Sequence, residues 1–283
     1  MYLDLMLEVA REAGQVAMDL MGISEPSLKV DNSVVTKADR SISQLVKQRL
    51  ANILSSPDHI LIDEEDPQNI HYLDQNILGK TPFIWVVDPI DGTRIYANHM
   101  PHFGISLGLI KNLKPYIGVV YFPALKELFY AEDHQAYYVH RAFEKDAKKT
   151  SIKPIDQQIT SQSVFFCHDS FFKKYDWDNT DCRAMIMACA VVDMCWPALG
   201  RGCGGIFQPA LWDFAGSWPI AIAAGLQMWS LHSEKRLDVI HADLFKTQGK
   251  PWELKELYVV CSERNFPILK SKLIPLKNRK GVS

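Results

Sequence analysis

The chain has 283 residues, 47% of them hydrophobic and 23% charged, with a formal net charge of −2. That composition supplies a large buried core in one domain or two, and it excludes a disordered, collagen-like or coiled-coil chain. So small a net charge gives no global attraction to nucleic acid or anionic lipid, and neither is expected as a partner.

Apolar residues at Met6, Val9, Ala10, Ala13, Val16, Ala17 and Leu20 follow helical spacing and predict a helix over Asp4–Met21. A turn-rich stretch from Gly22 to Ser33 follows. Thr36 and Asp39 then offer N-caps for a second helix with Ile42, Leu45, Val46, Leu50, Ile53 and Leu54 on one side. The run Ile60-Leu61-Ile62 stops at the acidic cluster Asp63-Glu64-Glu65-Asp66, and Phe83–Val87 reads as a buried strand ending at Asp88-Pro89. Phe103–Ile110, Ile117–Phe122, Leu128–Ala131 and Ala136–Val139 look like successive strands.

The polar, lysine-bearing stretch Glu144–Ser163 is a candidate boundary, dividing the chain into subdomains over 1–145 and 146–283. Beyond it the pattern predicts a strand at Val164–Cys167 and a helix around Arg183–Cys195. It continues with a helix starting near Asp213, a strand at Leu257–Cys261 and a short helix near Phe266–Leu273. Pro219 should kink the helix that contains it or mark an irregularity. The mixed order, without strict βαβ alternation, argues for a layered α/β arrangement.

All six cysteines lie in the second half without a C-x-x-C pair, the pattern of buried free thiols rather than of a disulfide framework. Met1-Tyr2-Leu3-Asp4 opens no secretory signal. Phe214–Ser233 carries no Asp, Glu, Lys or Arg, yet its Ser217, Pro219, Gln227, Ser230 and His232 favour a buried helix leading into a strand over a membrane span. A soluble, cytoplasmic protein is expected, with no membrane contact.

Carboxylates recur at the ends of apolar runs: Glu64 and Glu65, then Asp88 and Asp91, then Asp213 after Trp212. Strand ends and helix starts are where α/β folds place ligand sites. If these acids converge, they repel one another unless a cation sits among them, and an all-oxygen set suits Mg2+, with Mn2+ as the alternative. The Ile90 carbonyl would add a ligand. Asp91-Gly92-Thr93 offers an anion cradle beside that cluster, because glycine admits close backbone approach and the next N–H groups open a helix. Thr93 places a hydroxyl suited to orienting a water. Taken singly, each feature is more often a solvated loop, a strand terminator, a turn or a helix cap; their combination suggests phosphoryl chemistry.

Trp85-Val86-Val87-Asp88-Pro89-Ile90-Asp91-Gly92-Thr93, continuing through Pro101, Phe103, Ser106 and Gly108, resembles the signature of the inositol monophosphatase family. Ile62-Asp63-Glu64-Glu65 resembles its G-E-E element with Asp63 replacing glycine. Val35-Thr36-Lys37-Ala38-Asp39 resembles its V-T-x-x-D segment, and Trp212-Asp213-Phe214-Ala215-Gly216 its W-D-x-A-[AG] signature. The family belongs with fructose-1,6-bisphosphatase and 3′(2′),5′-bisphosphate nucleotidase in one metal-dependent, Li+-sensitive superfamily. The resemblance implies a five-layer αβαβα sandwich, often a homodimer, that hydrolyses small phosphomonoesters by metal-activated water attack, with about two or three Mg2+ per site.

Carried over by position, Glu64, Asp88, the Ile90 carbonyl, Asp91 and Asp213 hold metal. Ile90, Asp91, Gly92 and Thr93 form the phosphate site, while Thr93, Asp39 and Glu64 are catalytic, Asp39 polarising Thr93. The substrate side departs from the pattern. Arg183–Cys189 replaces a G-S-A-like turn, Ile206 stands where inositol-specific members carry a glutamate, and Arg94-Ile95-Tyr96 replaces the usual Asn-Phe. A 3′(2′),5′-bisphosphate nucleotidase or another superfamily phosphatase is the alternative enzyme, and a regulatory binding protein on the same fold the non-enzymatic one.

Overall fold

The computed structural model describes residues 1–23, 26–28, 34–155, 158–168 and 171–276, so much of the turn-rich stretch after the first helix lies outside the described residues. The two opening helices form where the apolar spacing places them, α1 over Tyr2–Leu20 and α2 over Lys37–Leu54. Thr36 caps α2: its hydroxyl accepts the Ala38 N–H at 3.2 Å, and the Asp39 carboxylate accepts the Thr36 N–H at 2.7 Å. This reciprocal cap satisfies donors that a helix start otherwise leaves without partners.

Seven strands line up in chain order as one sheet: β1 (His59–Asp63), β2 (Phe83–Asp91), β3 (Gly104–Lys111), β4 (Lys114–Phe122), β5 (Glu127–Glu132), β6 (Gln135–His140) and β7 (Lys148–Ile152). β1 and β2 are parallel and the other pairings antiparallel. A five-residue helix, α3 (Thr93–Ala97), follows β2. β7 lies inside the polar stretch read as a connection, so the first sheet continues past residue 145. It is an edge strand on which only Ile152 is buried, and no apolar alternation marks it in the sequence.

The second half contributes β8 (Ser163–Cys167), β9 (Cys182–Ile186), α4 (Ala190–Cys195), β10 (Gly204–Phe207), α5 (Leu211–Ala215), α6 (Trp218–Ala223), β11 (Gln227–Ser230), β12 (Tyr258–Cys261) and α7 (Phe266–Ser271). Its five-stranded sheet has the order β9-β8-β10-β12-β11. The helix expected over Arg183–Cys195 is therefore a strand, a turn and a helix of six residues. Arg183-Ala184-Met185-Ile186 has helix-compatible composition, but parallel pairing with β8 overrides that local preference. The apolar run after Asp213 likewise splits: α5 ends at Ala215, and Pro219 sits in the first turn of α6, where the missing N–H costs nothing.

Five layers result. α1 and α2 pack Met6, Val9, Ile42 and Val46 on Trp85, Val87, Leu107 and Val119 of the seven-stranded sheet. On its other face α4, α5 and α6 bury Val191, Phe214 and Trp218 between that sheet and Phe207, Met228 and Val260 of the second. α7 closes the far side, with Phe266 and Leu269 against Phe165, Ile206 and Val259. All six cysteines are free and buried. Among the described residues no helix is long and apolar enough to cross a membrane.

Candidate active site

Asp88 and Asp91 lie on the same strand, three positions apart, and a regular strand would turn them to opposite faces. The pairing of β2 with β3 runs from Asp88↔Ser106 to Asp91↔Gly104, so a bulge at Pro89-Ile90 resets the alternation. Proline is tolerated there because the bulge needs no ladder hydrogen bond from it. The strand thus runs through the motif to Asp91 rather than ending at Asp88-Pro89.

Asp213 arrives from the other half of the chain on α5, which lies directly on the sheet. Gly108 and Gly118 make that approach fit: a Cβ at Gly108 would stand 2.7 Å from the Ala215 carbonyl carbon, and one at Gly118 would stand 2.0 Å from the Gly216 oxygen. Ser106 Oγ donates to the Trp212 carbonyl at 3.3 Å and fixes the start of the same helix. Asp213 Oδ2 accepts the Ala210 N–H at 2.8 Å. One carboxylate oxygen each from Asp88, Asp91 and Asp213 fall within 4.8 Å of one another. Parallel pairing of Asp63 with Val87 carries Glu64 beside them: its N–H donates to the Val87 carbonyl at 3.1 Å, and its carboxyl hydrogen-bonds Asp88.

Burial first, then the charges of Glu64, Asp91 and Asp213, push Asp88 well above the ordinary carboxylate range. Burial, Asp91 and Glu64 do the same to Asp213. Asp91 rises only to about 6, because burial is opposed by hydrogen bonds from the Val191 N–H, the Cys189 thiol and the Ala190 N–H. Asp88 Oδ1 is buried without a hydrogen-bond partner among the described residues. A tight set of hard oxygen donors, with one buried atom left unsatisfied, fits a divalent cation of the Mg2+ type.

Gly92 takes φ +82 and opens α3, so its backbone is reserved for glycine, and a side chain there would also crowd Cys189. Thr93 Oγ1 stands 3.0 Å from the Ile90 carbonyl and 3.4 Å from Asp39 Oδ1. Asp39 is fully buried, and its Oδ2 accepts the Thr36 N–H and the Thr36 hydroxyl at 2.6 Å. Every predicted site residue therefore lies in one neighbourhood, with Glu64 reaching the aspartate trio through Asp88 and Asp39 reaching it through Thr93.

Other contributors were not singled out in the sequence. The α4 start holds Asp91 Oδ2 through the Val191 N–H at 2.5 Å and Cys189 Sγ at 3.2 Å. Ala188 just before it is left-handed, with φ +53, a backbone conformation that favours glycine. Asp193 of α4 is buried, neither carboxylate oxygen is hydrogen-bonded among the described residues, and burial followed by Asp91 pushes it well above the ordinary range. Ile206 is fully buried beneath α7 and faces the core, not a ligand. Beside the carboxylates opens a cleft of about 530 Å3 lined by Glu64, Ile70, His168, Gln208, Trp212 and Lys250 among others. Gln208 is engaged there, its amide donating to the Leu254 carbonyl at 2.8 Å and accepting from Lys174 at 3.1 Å.

The family model described as Inositol monophosphatase family matches residues 2–274. The 3′(2′),5′-bisphosphate nucleotidase CysQ of Salmonella typhimurium is 26% identical over 258 residues, covering 87% of this chain and 97% of the relative. The histidinol-phosphatase of Chlorobaculum parvum is 36% identical over 134 residues, 46% of this chain and 47% of that protein. Among solved structures, a Thermotoga maritima IMPase superposes with a TM-score of 0.72 at 19% identity, covering 95% of each chain. A family match across nearly the whole chain, on a five-layer fold that gathers the motif carboxylates at one point, makes this protein a member of the inositol monophosphatase family and its reaction the hydrolysis of phosphomonoesters.

Proposed function

We propose that the protein is a Mg2+-dependent phosphatase of small phosphorylated metabolites, in which Glu64, Asp88, the Ile90 carbonyl, Asp91 and Asp213 hold the cations. The convergence of Asp88, Asp91 and Asp213 within 4.8 Å, with Asp88 Oδ1 buried and unpartnered among the described residues, carries this reading. Cations bound there supply Lewis-acid stabilisation of the phosphoryl oxygens and a water acidic enough to attack at neutral pH. The N–H groups of Gly92 and Thr93, at the start of α3, bind and orient the phosphate. Asp39, clamped by Thr36, accepts the Thr93 hydroxyl proton and turns the oxygen lone pair of Thr93 toward an attacking water. Glu64 sits beside Asp88 as a second acceptor for that water's proton. A cytoplasmic homodimer is part of the proposal.

Two features favour a nucleotide over an inositol phosphate. Ile206, buried in the core, cannot accept hydrogen bonds from a polyol, whereas the cleft offers the half-buried ring of Trp212 together with Lys250 and His168. The nucleotidase and histidinol-phosphatase relatives set the candidates. Phosphate release should be measured with and without Mg2+ on inositol 1-phosphate, a 3′,5′-bisphosphate nucleotide, 2′-AMP, histidinol phosphate and fructose 1,6-bisphosphate. Turnover abolished by EDTA is expected; release from no substrate, or release indifferent to EDTA, would overturn the reading.

A further inference from the structure

We propose that Asp63, held by Ser43 of α2, is a positioning residue that sets the Glu64 loop for cation binding; the inference rests on the reading of Glu64 as a metal ligand. The main chain is pinned as far as the Glu64 N–H, which meets the Val87 carbonyl, and then leaves the sheet. Several of the contacts that hold the turn beyond that point converge on Asp63. Asp63 Oδ1 accepts the Glu65 N–H at 2.9 Å, and its carbonyl accepts the Asp66 N–H at 3.0 Å and Asn69 Nδ2 at 2.7 Å. On the other side, Asp63 Oδ2 accepts the Ser43 hydroxyl and lies 4.0 Å from Lys47 Nζ. Asp63 is fully buried and Ser43 nearly so, which makes these bonds the carboxylate's substitute for water.

The glycine of the resembling G-E-E element has no side chain with which to do this. In this chain the job falls to a polar stripe on α2. Asp39, Ser43 and Lys47 recur every four positions and so share one helix face, beside the apolar face of Ile42, Val46 and Leu50. The first of the stripe holds Thr93, and the next two hold Asp63. One rigid helix therefore sets both flanks of the carboxylate cluster, the hydroxyl side through Asp39 and the Glu64 side through Asp63. Lys47 also reaches Asp66 Oδ2 at 2.9 Å and ties the far end of the same turn. Loss of such outer contacts leaves a ligand chemically intact but free to wander, which typically weakens metal binding by about 10- to 100-fold.

The test uses the full chain, stripped with EDTA and titrated with Mn2+ by calorimetry, with the melting temperature of the metal-free protein recorded alongside. Ser43→Ala and Asp63→Gly are each expected to raise the Mn2+ Kd by about tenfold or more. Asp63→Asn, which keeps an acceptor for the Glu65 N–H, should lose less. The double variant should lose little more than Asp63→Gly alone, since both substitutions break one contact. Wild-type Mn2+ affinity in folded Ser43→Ala and Asp63→Gly overturns the inference even if both melt earlier, because that result is a stability role only. Should Asp63→Gly fail to fold, Ser43→Ala decides alone. Glu64→Gln serves as the reference: if it weakens binding and the other two do not, positioning by Asp63 is wrong while the metal site stands. If Glu64→Gln itself binds Mn2+ normally, the ligand reading and the positioning inference fall together.

Discussion

Asp88 is buried to 1% exposure among Glu64, Asp91 and Asp213, so its charged form is unfavourable until a cation arrives. Asp88→Asn removes a proposed metal ligand without adding a clash. It is expected to lower Mg2+-dependent phosphate release by more than about 100-fold while the metal-free protein melts no earlier than wild type. A variant that loses activity only because it unfolds would sink the assignment. Ala188 carries a different local cost, a left-handed backbone at φ +53 that an L side chain disfavours by about 1–2 kcal/mol. Glycine relieves that strain but adds unfolded-chain entropy, so Ala188→Gly should stabilise the protein by about 0.5–1 kcal/mol in denaturant titration. An unchanged or lowered midpoint would mean that the turn is not strained.

At the scale of elements, the site depends on α5 resting on bare backbone. The Gly118 Cβ position is 2.0 Å from the Gly216 oxygen, closer than any side-chain adjustment can absorb. Gly118→Ala must therefore lift the end of α5, and overpacking of this kind costs about 1–3 kcal/mol. Asp213 rides on that helix, so the same substitution should cut kcat by about 100-fold through misplacement of the order of 1 Å. A melting-temperature drop with wild-type kcat would show that Asp213 is held from its own end, by the Ala210 N–H, rather than by the sheet.

For the whole molecule the acids around the site oppose the partly exposed, ion-paired Asp66, Glu144 and Asp178. Those three are held below the ordinary carboxylate range by Lys47, by Lys126 and Arg141, and by the Thr180 N–H and hydroxyl, respectively. Asp88, Asp91, Asp193 and Asp213 all hold protons more tightly folded than an unfolded aspartate does. Through these four the native state binds more protons than the unfolded chain, and stability present at low pH is lost as pH rises from about 4 through the folded values. Asp91 completes its share near about 6; Asp88, Asp193 and Asp213 extend the loss well above the ordinary carboxylate range. In EDTA the melting temperature should therefore fall between about pH 5 and about pH 8, and Mg2+ should restore it at the upper end by binding the ionised trio. A rise with pH in EDTA, or no effect of Mg2+ near pH 8, contradicts the electrostatic picture.

The opening helices, the strands from Phe83 to Val139 and the family motifs were legible in the amino-acid order, because apolar periodicity, capping and Asp-Gly-Thr chemistry are local properties. So was the burial of the cysteines, which follows from composition. Three things were not. Lys148–Ile152 joins the first sheet as an exposed edge, and an edge strand with polar side chains leaves no alternating pattern to read. Arg183–Ile186 is a strand because β8 lies beside it, and pairing partners distant in the chain outweigh helix propensity. The roles of Cys189, Asp63 and the Asp39-Ser43-Lys47 stripe depend on which surfaces meet in space. Which residues carry charge and hydrogen-bonding groups was settled by the sequence alone. Only the tertiary structure decided which of them meet, since the bulge at Pro89 re-aims Asp91 and the glycine floor under α5 seats a helix from the other half of the chain.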